Sequence, residues 1–170
     1  MKDIQFVDGA TDAAQFRFAV VVSVYHRVIT EALCDGAVDA LRQAGAVPNP
    51  ERFAEEQFDP ITIIEVPGAF EIPLAARRAA DTGVFDAVVC VGCIVRGETP
   101  HFEFIASAVA HGITIASQLS GVPITFGVLT TNNEREAKER SIGDSSNKGR
   151  EAALAAVQLA NVIAKLPQGK

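Results

Sequence analysis

The segment Gly92–Thr99 has the spacing of a phosphate-binding P-loop, G-x-x-x-x-G-K-[ST], with one exception. Glu98 stands where the P-loop requires a lysine, and its carboxylate would repel the phosphates that the lysine holds. Residues 93–95 also have the apolar composition of a strand rather than of a loop. The segment therefore does not indicate a nucleotide hydrolase.

What this segment does predict is a strand end followed by a helix start. Thr99 is a suitable N-cap residue, and Pro100 is typical of the first helical position. Backbone N–H groups at such a helix start form a natural anion site. His101 would lie in the first turn, where an imidazole can donate or accept a proton. A plain helix start with a solvated histidine is the alternative that the spacing leaves open.

Two other strand ends carry side chains suited to a ligand. Val66–Pro73 ends a second strand and offers backbone amides, an aromatic ring and the Glu71 carboxylate, which can accept hydrogen bonds from hydroxyls. A first-turn glutamate is equally typical of helix-dipole complementation. Tyr25 and His26 follow the first strand and offer an aromatic plate. Because parallel strands end at the same edge of a sheet, we expect these turns to converge.

A further turn, from Arg140 to Gly149, is predicted to join two helices and holds the cations Arg140 and Lys148 among small capping residues. Arg140 has the planar donors for bidentate phosphate recognition, although a charge at a helix C-terminus would look the same. The sequence contains no serine nucleophile elbow, no HExxH zinc motif and no G-x-G-x-x-G dinucleotide motif.

The elements that must position these turns alternate along the chain. Continuous apolar runs predict strands at 18–23, 61–66, 88–95 and 124–130, and helical spacing predicts helices at 28–46, 70–81, 100–119, 134–140 and 148–165. Apolar strands separated by helices indicate a doubly wound α/β domain with a parallel sheet. We expect residues 1–17 to form an N-terminal arm, 18–170 a single domain, and 47–60 a surface excursion.

The composition indicates a cytoplasmic protein that does not bind nucleic acid. The 170 residues, 48% of them hydrophobic, suit one domain, and a net charge of −6 would repel a phosphate backbone. No signal peptide is recognised before Phe18, and the three cysteines lie in apolar stretches, which favours a reducing compartment. Cys90 and Cys93 are expected as buried thiols on opposite faces of a strand.

No Asp, Glu, Lys or Arg occurs in the thirty residues from Phe104 to Asn133, which include a whole predicted helix. A helix on the surface of a monomer normally presents a charged side to water. Gly112, Gly121 and Pro123 interrupt the stretch, so a membrane span is not predicted. We therefore expect this helix to be covered by another subunit of a homo-oligomer.

Together these segments resemble the lumazine synthase family from about Phe18 to Ile163. The matching segments, in the family's order, are Val66–Pro73, Gly92–Glu103, Pro123–Thr130 and Asn147–Ala153. The resemblance implies a flavodoxin-like three-layer sandwich with a four-stranded parallel sheet. It implies pentameric rings with active sites between neighbouring subunits, and in some members twelve rings close into an icosahedral shell.

The reaction that the resemblance implies is the step before riboflavin. It condenses 5-amino-6-(D-ribitylamino)uracil with 3,4-dihydroxy-2-butanone 4-phosphate to 6,7-dimethyl-8-ribityllumazine, releasing phosphate and water, without a metal or an organic cofactor. Such chemistry needs positioning and proton transfer more than a strong nucleophile.

The resemblance also implies residues for the pyrimidine substrate. Tyr25 occupies the position of the aromatic side chain that stacks on the pyrimidine ring. A turn that holds the ribityl chain is matched by Gly68, Ala69, Phe70 and Glu71. A strand end whose backbone hydrogen-bonds to the uracil edge is matched by Cys93, Ile94 and Val95.

For the phosphorylated substrate, the resemblance implies that the amides of Glu98 and Thr99 hold the phosphate and that His101 transfers protons. Phe126 and Arg140 match residues brought from the neighbouring subunit, with Arg140 clamping the phosphate. Lys148 matches a motif position near the site.

Two features depart from the commoner family pattern. Val24-Tyr25-His26 stands where Arg-Phe-Asn is usual, so that the Tyr25 hydroxyl could alter flavin affinity. The segment 47–60 is longer than usual, while the turn from Gly143 to Lys148 is short, as in members that form shells.

Three other functions are to be weighed. A flavin-binding or flavin-storing paralogue with weak catalysis is disfavoured because storage needs neither His101 nor Arg140. A riboflavin synthase of the archaeal type is disfavoured by the match at 96–103. A flavodoxin-like regulator would show acidic residues after the first strand, and 23–27 contains none.

Overall fold

Four parallel strands form the central sheet of the computed structural model, which describes residues 6–48 and 59–167. The strands are β1 (Phe18–Ser23), β2 (Ile61–Val66), β3 (Ala87–Val95) and β4 (Ile124–Thr131), in the order β2-β1-β3-β4. The central strands β1 and β3 are almost wholly buried because helices cover both faces of the sheet. All the predicted strands are confirmed, and two of their ends differ from the prediction by a single residue.

Five α-helices lie in the described part of the chain. They are α1 (Arg27–Gln43), α2 (Ile72–Asp81), α3 (His101–Ser120), α4 (Glu134–Glu139) and α5 (Lys148–Lys165). α1 and α5 pack together on one face of the sheet, and α2 and α3 pack together on the other. This arrangement is the predicted α/β flavodoxin-like three-layer sandwich.

Two helices differ from the sequence prediction by more than one residue at an end. α1 ends at Gln43 rather than Ala46, because Gly45 adopts a left-handed φ of 106° that an α-helix cannot contain. The helix predicted at 70–81 begins instead with a separate 3-10 turn, Ala69–Glu71, followed by α2. Pro73 is the second residue of α2, where its missing N–H costs no hydrogen bond.

Residues 6–17, the described part of the predicted arm, lie against α5. The Asn161 side chain donates to the Asp12 carbonyl at 2.8 Å, and Lys165 forms an ion pair of 3.0 Å with Asp8. Ala13 is fully buried. Residues 1–5 of the arm, 49–58 of the predicted excursion and 168–170 lie outside the described residues.

The three cysteines are free and buried, as predicted. Cys90 lies in the core under α2 and α3, whereas Cys93 lies in the core under α1 and α5, so the two side chains point to opposite faces of β3. Burial raises the pKa of each thiol, and for Cys34 and Cys93 the value reaches about 11.

The uncharged helix α3 exposes large apolar side chains. Phe104, Ile115 and Leu119 are 71%, 52% and 68% exposed, respectively, on a helix without a charged residue after Glu103. No helix within residues 6–48 and 59–167 combines the length and the apolar character that a bilayer crossing requires. Large apolar side chains exposed together on one helix are typical of a face that contacts another chain.

Candidate functional site

A cavity of about 490 Å³ opens at the carboxyl ends of β1, β2 and β3, on the side of the sheet that α3 covers. β2 is added to one side of β1, whereas β3 and β4 are added to the other side, so the topological switch point lies between β1 and β3. Ligands of doubly wound sheets bind at this point. The turns predicted to converge do so here. The lining residues that were predicted for the site are Tyr25, Gly68, Ala69, Phe70, Glu71, Cys93, Ile94, Val95, Thr99 and His101.

Tyr25 forms one wall of the cavity directly after β1. Its ring is 67% exposed and meets the ring of His26 edge to face, with 4.6 Å between the centroids. His26 is the N-cap of α1 and has a left-handed backbone, φ 61° and ψ 43°, which is uncommon for a residue with a side chain. A strained residue of this kind beside a cavity is typical of a functional site.

The turn after β2 forms the opposite wall. Gly68 is extended, and the 3-10 turn that follows brings the Glu71 N–H to the Gly68 carbonyl at 3.3 Å. A Cβ atom at Gly68 would lie only 3.0 Å from Glu71 Oε2, so glycine lets the carboxylate stand close to the backbone. Phe70 is 58% exposed, and the turn therefore presents an aromatic ring, a carboxylate and main-chain groups to the cavity.

The end of β3 forms the floor. Cys93 and Ile94 are buried, and Val95 is half-buried. These residues therefore offer a ligand mainly their backbone groups and a small area of apolar side chain. Burial raises the pKa of the Cys93 thiol, and the Glu134 carboxylate raises it further by repelling a thiolate. The Cys93 thiol, which points to the α1 and α5 face of the sheet, is consequently neutral and does not act as a nucleophile in the cavity.

The turn from β3 to α3 is the segment that was predicted to bind an anion, and the predicted cap residue of its helix is wrong. Pro100, not Thr99, occupies the cap position of α3, no side chain caps this helix, and its first residue is His101. Thr99 nevertheless lines the cavity together with Gly97 and His101, whereas Glu98 is exposed and does not line it. The first backbone N–H groups of a twenty-residue helix thus lie at the cavity rim.

The remaining predicted residues lie outside this cavity. Phe126, on the edge strand β4, is 44% exposed and lines a second cavity of about 460 Å³ with Lys148. Lys148 Nζ is 2.6 Å from Glu151 Oε1. Arg140 is exposed at the end of α4 and donates from Nη1 to the Glu136 carbonyl at 2.9 Å. A single chain therefore holds the predicted lining residues in one group and Phe126 with Lys148 in a second group, while Arg140 lines neither cavity.

Four lining residues were not predicted as site residues, namely His26, Gly97, Phe102 and Ile105. His26 could have been indicated because it is adjacent to Tyr25. Ile105 follows His101 by four residues and Phe102 by three, so helical spacing would have indicated this part of α3. Across residues 6–48 and 59–167, no three His, Cys, Asp or Glu side chains are grouped as ligands of a metal ion.

Comparison with known families agrees with this geometry. Residues 15–164 of the 170 match the sequence model of the 6,7-dimethyl-8-ribityllumazine synthase family, a span that contains all the strands, the cavity and the second group around Phe126. A match over this much of the chain identifies the family and implies a transferase-type enzyme. The chain belongs to the 6,7-dimethyl-8-ribityllumazine synthase family.

Proposed function

We propose that this protein condenses 5-amino-6-(D-ribitylamino)uracil with 3,4-dihydroxy-2-butanone 4-phosphate to 6,7-dimethyl-8-ribityllumazine. The observation that carries the proposal is the single cavity that gathers Tyr25, the turn 68–71 and His101 in a chain of this family. An aromatic plate, hydroxyl acceptors and a helix start suit a planar ring, a polyol chain and a phosphate, respectively.

The pyrimidine substrate would lie between two walls of the cavity. Tyr25 stacks on its ring, and Glu71 with the backbone of Gly68 to Phe70 binds the ribityl hydroxyls. The exposed backbone at the end of β3, residues 93–95, binds the uracil edge. This orientation points the 5-amino group toward the start of α3, where Thr99 and His101 line the same cavity.

The chemistry follows from this placement. The 5-amino nitrogen attacks the ketone carbon of the second substrate, and loss of water gives an imine. Elimination of phosphate and attack by the ribitylamino nitrogen then close the second ring, with release of further water. Each step moves a proton between nitrogen, carbon and oxygen, and the imidazole of His101, which lines the same cavity, carries it. The helix start and Arg140 hold the leaving phosphate.

A second copy of the chain would complete the site. Phe126, Arg140 and Lys148 are held away from the cavity of their own chain, and α3 exposes an apolar face. Both observations support a ring of subunits in which one chain contributes His101 and its neighbour contributes Arg140. We propose a cytoplasmic homopentamer, which could assemble further into an icosahedral shell.

The test is to mix the two substrates with the purified protein and to follow lumazine formation by absorbance, with the phosphorylated substrate omitted as the control. Product formation that depends on both substrates is expected. Protein that copurifies with yellow flavin and forms no lumazine would refute the proposal in favour of a flavin-storing paralogue.

A further inference from the structure

Arg96 bridges the turn between β3 and α3 with three interactions. Its backbone N–H donates to the Thr131 carbonyl at 2.9 Å, which extends the pairing of β3 with β4 by one residue. Its Nη1 lies 3.0 Å from Glu103 Oε1, and its Cζ lies 4.7 Å from the centroid of the Phe102 ring. The side chain thus spans the turn and joins its two ends.

The segment that Arg96 spans has little else to fix it. A Cβ atom at Gly97 would have no neighbour within 4 Å, and residues 97–100 are exposed. Fixing the backbone of such a turn costs about 1–2 kcal/mol per residue in conformational entropy. Its amides can bind an anion at full strength only when they are already held in place, because otherwise this cost is subtracted from binding.

The guanidinium of Arg96 is engaged on the α3 side and is not part of the cavity lining. Phe102, by contrast, lines the cavity, and the Arg96 guanidinium lies over the face of its ring. The Arg96 and Glu103 side chains are 47% and 62% exposed, so solvent screens their attraction, and the contact over Phe102 adds to it.

We propose that Arg96, Phe102 and Glu103 form a clamp that positions the turn 97–100 for the phosphate of the substrate. This inference rests on the proposed function. Arg96 is a positioning residue in it, because it acts through the turn and not on the substrate. The rival role, direct contact between Arg96 and the phosphate, makes opposite predictions for Glu103.

The variants Arg96→Gln, Glu103→Gln and the double variant test the clamp. Each should raise the KM of the butanone phosphate and the inhibition constant of inorganic phosphate by ~3- to 10-fold with kcat nearly unchanged. The double variant should be no worse than Arg96→Gln, since Arg96→Gln already removes both the ion pair and the contact over Phe102. Arg96→Lys keeps the charge but not the planar group, so its KM should be intermediate.

Arg77→Gln is the matched control, because it removes an arginine ion pair of 2.7 Å with Asp81 that lies within one helix and closes no turn. Its KM should equal that of the unaltered protein. If Glu103→Gln leaves the KM unchanged or lowers it while Arg96→Gln raises it, Arg96 contacts the phosphate directly and the clamp is refuted.

Hydrogen exchange tests the clamp independently of the proposed reaction. Without substrate, the amides of residues 97–99 should exchange faster in Arg96→Gln and in Glu103→Gln than in Arg77→Gln. If the unaltered protein forms no lumazine, the proposed function fails, and the exchange measurement still decides the clamp. Equal exchange in all variants would overturn it.

Discussion

His101 begins α3 at the rim of the cavity, and its side chain is exposed, so its imidazole can exchange protons with both ligand and solvent. We expect His101→Ala to lower kcat by ~10- to 100-fold with little change in either KM, because positioning by the rest of the cavity persists. Steady-state kinetics measure this. His111→Asn, further along the same helix and outside the cavity, should retain kcat, and an unaltered kcat in His101→Ala would exclude the proton-transfer role.

Arg140 presents a guanidinium at the surface, held by one hydrogen bond to the Glu136 carbonyl. Removing a charged donor from a phosphate is expected to raise the KM of the phosphorylated substrate by ~10- to 100-fold in Arg140→Ala, while the KM of the pyrimidine changes little. Arg135→Ala on the same helix removes a surface pair with Glu139 and should leave both KM values unchanged. Equal changes for the two substrates would contradict the assigned role.

Cys93 provides a test of how well the end of β3 is buried under α1 and α5. Burial raises its pKa to about 11, so the folded protein keeps the thiol protonated at pH 8, and only the thiolate reacts with iodoacetamide. The rate of Cys93 alkylation, followed by peptide mass spectrometry, should therefore rise with pH up to about 11. In guanidinium chloride all three cysteines should react rapidly at pH 8. Rapid labelling of Cys93 in the folded protein at pH 8 would show that the core under α1 and α5 is open to the reagent at this end of the sheet.

At the scale of elements, the turn between α4 and α5 depends on Asn147. Its Oδ1 caps α5 by accepting the Arg150 N–H at 3.0 Å, and its buried Nδ2 donates to Ala32 at 2.8 Å and to Ser141 at 2.6 Å. The same turn brings the Lys148 N–H to the Arg140 carbonyl at 2.9 Å. One buried side chain therefore ties α5 to α1 and fixes the backbone that carries both cations.

We expect Asn147→Ala to lower the free energy of unfolding by ~2–4 kcal/mol, because it removes a helix cap and leaves two carbonyls without their donor. Thermal or urea unfolding measures the loss. Asn133→Ala is the control, since the Asn133 side chain also caps a helix but is exposed, and it should cost only ~1 kcal/mol. Equal losses in the two variants would mean that the buried bonds of Asn147 contribute nothing.

At the scale of the whole molecule, the site is expected to be shared between chains. Arg140→Ala and a His101→Ala/Glu71→Ala double variant should each be nearly inactive at low concentrations of the phosphorylated substrate. Coexpressed, they should recover activity, because about a quarter of the sites would pair an intact cavity with an intact Arg140. Separately purified variants mixed without subunit exchange are the control. Light scattering that shows a stable monomer, or the lack of any recovery, would place the whole site in one chain.

Local patterns were enough to predict the elements of this fold. Apolar runs such as β1 and the helical spacing of α5 depend on neighbours along the chain, so their bounds follow from the residues alone. The errors lie where a boundary depends on backbone conformation, as at Gly45, or on a cap, as at Pro100. Propensity cannot decide between adjacent residues that all suit a turn.

The sequence by itself determined which turns meet at the cavity, because parallel strands end at one edge and the motifs at 66–73 and 92–103 follow such ends. Tertiary structure decided how they combine. It gathered Tyr25, Glu71 and His101 in one cavity, held Phe126 and Arg140 away from it, and folded Arg96 over Phe102. These relations join residues that are distant in sequence or separated by a turn, so they depend on how the elements pack in three dimensions and leave no period or spacing in the sequence.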